Sequence, residues 1–342
     1  MTAMMDFQEF DAELEDWNAL RASTGFTGLL IGNGASRAVW EDFAYESLFE
    51  NARSVEDKPL GQSELSVFDA LQTRSFEQVL GALKTTSRVN KALAVSSAAP
   101  RNRYYAIKEA LINTVHAMHI PWRLVQPQSL AAINHELRQY PTVFTSNYDL
   151  LNYWAVQHDP QGLSDLFQGA DPAFELGCAD ASATRILYLH GGLHLVRNLD
   201  GSARKLTSTE GTLLGSFAIN NTLKTLDDVP LFVSEGPLAD KLKTIRSSDY
   251  LSFCYQQLLD HQGALCLFGH NLGPQDAHLV QAIRQCGAGT LAISIYPRSP
   301  AFIQHQKRHY AKLFDGLELD LRFFDSRTHA LGKPALAVPV ER

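Results

Sequence analysis

LLIGNGASRAV, residues Leu29 to Val39, decides how the rest of the chain is read. Three large aliphatic side chains run into Gly32-Asn33-Gly34, and a helix-compatible stretch resumes at Ala35. An apolar run without polar alternation is the habit of a strand buried on both faces. Gly-x-Gly-x-Ser after such a strand is half of a dinucleotide-binding turn. In that reading Gly32, Asn33 and Gly34 bring backbone close to a pyrophosphate, and the following helix offers unpaired N–H groups. Ser36 is suited to cap that helix or to bond a phosphate oxygen. Arg37 would neutralise charge there. Arg37 also stands where the third glycine of the full fingerprint belongs, so a plain strand-to-helix connection remains open. If the turn does cradle a pyrophosphate, Gly34→Val is expected to block it with little damage to folding.

The same kind of apolar run recurs along the chain. Gly28–Ile31, Thr142–Thr145, Ile186–Leu189, Leu231–Ser234, Ala264–Phe268, Thr290–Ile295 and Leu317–Phe324 all read as strands, most of them buried on both faces. Helical patterns fall between them at Asp149–Gln157, Ser248–His261, Asp276–Cys286 and Pro300–Phe314. Alternating strand and helix predicts an α/β class: a Rossmann-like, doubly wound, mainly parallel sheet. The rhythm breaks between residues 51 and 139. There Phe76–Lys84, Tyr104–Met118 and Leu130–Arg138 are helix-like and no strand is evident. The expected organisation is one domain over 1–342, with a core at 24–50 and 140–330 and a helical insertion at 51–139. Asp6–Trp17 reads as an outer helix, and Gln161–Thr184 as loop.

Composition narrows the class of partner. The chain has 342 residues, a net charge of -7 and 45% hydrophobic residues, the profile of an ordinary globular protein. Bulk charge gives no reason to expect direct nucleic-acid binding. No apolar run reaches the ~20 residues of a membrane span. The first residues show no signal-peptide pattern, so a cytoplasmic location is expected. Cys178, Cys254, Cys266 and Cys286 form no CxxC pair. Structural zinc needs ligands at short spacing, so no metal site is expected and the cysteines read as buried filler.

Polar residues gather where the strands end. Thr145-Ser146-Asn147-Tyr148-Asp149 follows one strand, His190-Gly191-Gly192 a second, and Gly269-His270-Asn271-Leu272 a third. Strand C-termini are where doubly wound folds hold ligands. Asn147 carries a donor and an acceptor for a water or a ribose hydroxyl, or is only a turn residue. Asp149 is placed to cap the next helix. His190 is able to take a proton near neutrality, or is a satisfied turn histidine. Gly191 and Gly192 leave space beside it. Gly269 allows close approach, Asn271 and Ser146 offer polar contacts, and Tyr296-Pro297 ends another strand near a possible adenine pocket. His194 reads as structural.

Taken in order, G-x-G-x-S, S-N-Y-D, H-G and G-H-N-L resemble the sirtuin-like superfamily, whose members bind NAD. Phe76–Leu80 (FEQVL), Ser146–Ala155 (SNYDLLNYWA), Ser234-Glu235-Gly236 and Lys241–Leu251 (KLKTIRSSDYL) are similar to a bacterial branch of that superfamily catalogued as a domain of unknown function. The four-cysteine zinc module of the protein deacylases is missing: only Cys254 and Cys266 lie between Gly191 and Phe268. Relatives without that module include NAD hydrolases of antiphage defence.

The resemblance therefore implies NAD as substrate, split to nicotinamide and ADP-ribose without a metal. Gly32, Asn33, Gly34, Ser36, Arg37, Ser146, Gly269 and Asn271 would bind it. Asn147 would position water or the nicotinamide ribose, Asp149 would fix the loop, and His190 would act as base. It also implies a homo-oligomer or a partner protein of a defence system. Two alternatives stay open. One is transfer to an acceptor other than water, as in a deacylase or ADP-ribosyltransferase. The other is a nucleotide-sensing interaction module without turnover.

Overall fold

The structure is a computed structural model that describes residues 10–43, 48–169, 172–177, 182–207, 213, 229–233 and 238–339. The chain begins with α1 (Trp17–Ser23), β1 (Phe26–Ile31) and α2 (Asn33–Val39). Helices α3 (Leu48–Ser54), α4 (Gln62–Ala70), α5 (Phe76–Ala92), α6 (Ala98–Met118) and α7 (Pro127–Leu137) follow before β2 (Thr142–Thr145) and α8 (Leu151–His158). Next come β3 (Leu163–Ser164), β4 (Phe167–Gln168), β5 (Ala173–Phe174), β6 (Thr184–Tyr188), β7 (Gly191–Arg197), β8 (Ala203–Lys205) and β9 (Val229–Phe232). Then α9 (Leu238–Arg246), α10 (Asp249–Leu259), β10 (Ala264–Phe268), α11 (Ala277–Gln285), β11 (Thr290–Ile295), α12 (Pro300–Leu313) and β12 (Asp320–Asp325) complete the order.

Seven strands form a parallel sheet in the order β12-β11-β10-β1-β2-β6-β3. β1 is central. In register, Leu29 faces Cys266 on one side and Val143 on the other. The sheet extends from β1 through β2, β6 and β3 in one direction and through β10, β11 and β12 in the other. Leu29, Leu30, Val143, Ile186, Leu265 and Cys266 are almost wholly enclosed. Burying an aliphatic side chain of this size contributes roughly 1.5–3 kcal/mol. Strands apolar on both faces thus settle in the middle of a sheet covered by helices. Serines start several of those helices: Ser75, Ser248 and Ser299 each accept a backbone N–H from the first turn.

The α/β expectation holds, with one layer unforeseen. β4, β5, β8, β7 and β9 make a second sheet, antiparallel throughout. Leu231–Phe232, expected in the parallel sheet, belongs here: Gly191 faces Phe232 and Val196 faces Pro230. A short apolar run reads alike whether it is buried in one kind of sheet or the other. Among its described residues the expected loop Gln161–Thr184 likewise holds three two-residue strands, too short to show a pattern.

The first helix is also displaced. Asp16 is its cap, accepting from the N–H groups of Asn18 and Ala19, so the helix starts at Trp17 instead of ending there. Residues 10–16 run outside the helix, and Glu15 bridges to Phe324 beside β12. Residues 6–9 of the expected helix lie outside the described residues, as do Cys178 and Ser234-Glu235-Gly236. Among the described residues, no helix is long and apolar enough to cross a membrane.

Candidate functional site

Reversal of strand order on either side of β1 leaves a crevice beyond its C-terminal end. Four connections meet there: the turn from β1 into α2, Ser146–Asp149 after β2, His190 between β6 and β7, and Gly269–Asp276 after β10. They enclose a cleft of about 390 Å³. Of the sequence-predicted residues, Asn33, Gly34, Arg37, Ser146, Asn147, Asp149, His190, Gly269 and Asn271 line it. Phe43, Leu48, Tyr148, Val233, Lys241, His270, Gln275 and Asp276 complete the wall.

Gly32 and Ser36 do not line this cleft. Gly32 donates its N–H to the Phe268 carbonyl at 2.9 Å, and its own carbonyl accepts from Ala35 N and from Asn147 Nδ2. The N–H of Gly34 is likewise spent, on the Gly269 carbonyl at 2.7 Å. The turn therefore uses these three amides to bind its neighbours, where the sequence suggested they were free for a phosphate. Glycine is needed for packing: a Cβ on Gly34 would lie 2.6 Å from the Gly269 Cα. Gly191 is similar, since a Cβ there would meet the Leu231 carbonyl oxygen at 2.1 Å. It makes room for β9, not for a ligand.

Ser36 is the centre of a buried network. Its hydroxyl donates to Asp149 Oδ2 at 2.5 Å and accepts from Asn147 Nδ2 at 2.8 Å. Because the Gly32 carbonyl is only an acceptor, the amide of Asn147 must turn its nitrogen inward. Its Oδ1 is left as the group able to accept from a ligand. Asp149 Oδ1 holds the Leu151 N–H at 2.9 Å, which starts α8. Burial raises the Asp149 carboxyl above its ordinary range, against the opposing Ser36 and backbone hydrogen bonds. Asn33 plays a related part at the rim, donating to the Phe43 carbonyl at 2.9 Å. Arg37 is exposed and makes no ion pair among the described residues.

Three histidines border this network. His270 Nδ1 accepts from the Leu272 N–H at 3.3 Å, so its Nε2 carries the hydrogen and meets Ser146 Oγ at 2.9 Å. Ser146 Oγ in turn donates to the Ile31 carbonyl at 3.3 Å. His190 stacks on His278, a residue of α11. Burial, first of all, and then the neighbouring His278, Lys241 and His270 hold His190 neutral. Lys241 was missed as a site residue. It lies on the buried side of α9, and its family-like surroundings (KLKTIRSSDYL) were the only signal. His278 had none, because only tertiary folding brings α11 to β6. His194, expected to be structural, is buried between Tyr153 and Tyr188. Tyr296 is exposed and outside the cleft wall. Cys254 and Cys266 are buried, and burial pushes both thiols up. Among the described residues, no group of three or more His, Cys, Asp or Glu could hold a metal ion.

Burial of imidazoles extends beyond the cleft and sets the acid limit of the fold. Desolvation lowers His119 to about 4, His278 and His329 to about 3, and also lowers His190, His194, His261 and His270. Unfolded, these rings protonate near 6.5. The unfolded state thus binds more protons below that pH, and stability falls as pH falls. Each ring costs about 1.4 kcal/mol per pH unit between about 6.5 and its folded value. Asp149, Glu136 and Asp249, raised by burial, act in the opposite sense, but they are three against seven. Urea unfolding should therefore show a steep loss of stability from about pH 6.5 to pH 4.5. A flat midpoint over that window would refute the buried neutral rings.

A family model described as a domain of unknown function, DUF4917, matches residues 29–331. No curated protein matches the chain. Among solved structures, the chain is similar to one described as the structural basis for sirtuin substrate affinity. That match has 12% identity and a TM-score of 0.33, and covers 86% of this chain and 96% of the other. It is also similar to a Sir2 mutant with a p53 peptide and NAD, at 12% identity and a TM-score of 0.32, covering 88% and 98%.

Proposed function

The chain belongs to the DUF4917 family, and from the cleft at its sheet centre we propose that it binds NAD and hydrolyses it to nicotinamide and ADP-ribose. One observation carries the reading: Asn147, Asp149 and His190, from two different strand ends, border the same cleft as the cations Arg37 and Lys241. A volume of about 390 Å³ is at the lower end of the roughly 300–1,000 Å³ of small-molecule sites. It suits the nicotinamide ribosyl half, with the remaining phosphate and adenosine toward the exposed rim at Arg37 and Asn271.

Asn147 Oδ1 is the acceptor for a ribose hydroxyl or for the attacking water. The bond between the nicotinamide nitrogen and the ribose C1′ breaks with its electron pair leaving on nicotinamide. Water oxygen bonds to C1′, and its proton passes to His190. The ribosyl centre gains positive charge as the bond breaks, and the cleft carboxylates Asp149 and Asp276 favour that charge in a desolvated setting. The Asp149–Ser36–Asn147 network supplies rigidity, so little reorganisation is needed.

Incubating the purified chain with NAD should release nicotinamide and ADP-ribose in equal amounts. No release, with calorimetry showing no NAD binding, would overturn the reading. Arg37 gives a further check because it is exposed and its loss leaves the core untouched. A charge-assisted contact is worth about 1.5–3 kcal/mol, so Arg37→Ala should weaken NAD binding by about 10- to 100-fold with an unchanged melting temperature. Equal affinity in wild type and variant would remove Arg37 from the phosphate contacts.

A further inference from the structure

His190 and His278 make a contact that the proposed hydrolysis does not use. Their Nε2 atoms lie 2.7 Å apart, and the stacked rings have centroids 4.9 Å apart. Both side chains are buried. Two ring nitrogens at that distance share one hydrogen, so one ring donates and the other accepts. His278 Nδ1 decides which, because it is buried with no hydrogen-bond partner among the described residues. A buried N–H without an acceptor is rarer than an unpaired acceptor, so Nδ1 is the bare nitrogen and the shared hydrogen resides on His278 Nε2. His190 Nε2 is then the acceptor, and the hydrogen of the neutral His190 ring sits on Nδ1.

We propose that His278 is a positioning residue: its Nε2–H fixes His190 as the Nδ1–H tautomer and holds the Nε2 lone pair in place for a substrate hydroxyl or water to claim. The idea rests on the NAD-cleaving reading only for its catalytic consequence. In the step, a proton moves from substrate oxygen to His190 Nε2, and His278 gives up its hydrogen bond. Other groups face the same cleft: Lys241 from α9, His270 and Asp276 after β10, and Asp149 after β2. Lys241 and His270 act with His278 to disfavour positive charge on His190. α11 itself is tied down by Tyr255, whose hydroxyl donates to the His278 carbonyl at 3.0 Å. The helix is thereby held in place whatever side chain occupies position 278.

The test uses the full chain without substrate. Nitrogen-15 NMR of the imidazoles reports tautomer and titration directly. Wild type and His278→Gln, which keeps an N–H donor, should both show His190 as a single Nδ1–H tautomer, neutral at neutral pH. His278→Phe keeps a ring but loses the donor. There His190 should become a mixture of tautomers and titrate higher, since the lost Nε2–H donor had favoured the neutral ring over its protonated form. An unchanged His190 tautomer and titration in folded His278→Phe would overturn the proposal. Kinetics add the second arm. Nicotinamide release by His278→Phe should fall about tenfold in kcat with KM within about twofold, and the acid limb of the pH profile should move up. His278→Gln should restore most of kcat and the profile. If NMR responds as expected while wild type releases no nicotinamide, the histidine pair stands and NAD cleavage falls.

Discussion

His190→Ala is expected to lower nicotinamide release from NAD by a factor on the order of 10²–10⁴, the usual worth of a positioned acid–base group. The structure sharpens what else should be seen. The His190 ring makes its hydrogen bond to His278, so its removal leaves the remaining wall in place and NAD affinity should fall far less than turnover. Asn147→Ala should lower turnover to a similar degree, but by a second route as well. It deletes hydrogen bonds to the Gly32 carbonyl and to Ser36 Oγ, leaving buried acceptors without their donor at about 1–3 kcal/mol. Its melting temperature should drop while that of His190→Ala changes little. In the double variant the kinetic losses should overlap, because groups acting as a unit are not additive. Full turnover in a folded His190→Ala protein would eliminate it as the base.

Gly34→Val should destabilise the protein by about 3 kcal/mol or more, the upper range for forcing extra atoms into a packed site. The first added carbon already meets backbone, 2.6 Å from the Gly269 Cα and 2.8 Å from the Gly269 carbonyl oxygen. Backbone cannot swing aside as a flexible side chain does. Gly269 itself has φ +67, the left-handed region that glycine favours, so the opposing loop is not free to change its path. The outcome expected from sequence, a folded protein that has merely lost its ligand, gives way to loss of stability and of the cleft together. Gly34→Ala should share most of the cost. Urea unfolding measures it: a Gly34→Val midpoint equal to wild type would show that the two loops are not locked.

The residue string alone determined a good deal. Leu29–Ile31 and Ala264–Phe268 are apolar at every position and Thr142–Thr145 carries no charge, and a sheet covered on both faces accommodates such runs. Their parallel pairing and the covering helices follow from that physics. It also brought Asn147 and His190, 43 positions apart, to one sheet edge, because both follow strands that run the same way. What the sequence left undecided depends on partners distant along the chain. Leu231–Phe232 reads as strand from its own residues, and its antiparallel place beside β7 comes from pairing with residues far back along the chain. Ser36 looked like a phosphate ligand because a hydroxyl after a glycine turn is one; Asp149, 113 positions away, claims it instead. His190 looked like a lone base, and His278, 88 positions on, shares its hydrogen. Strand identity is written in local hydrophobicity, which each segment carries by itself. The direction in which a hydroxyl or an imidazole spends its hydrogen bond is settled only when the whole sheet brings its competitor within 3 Å.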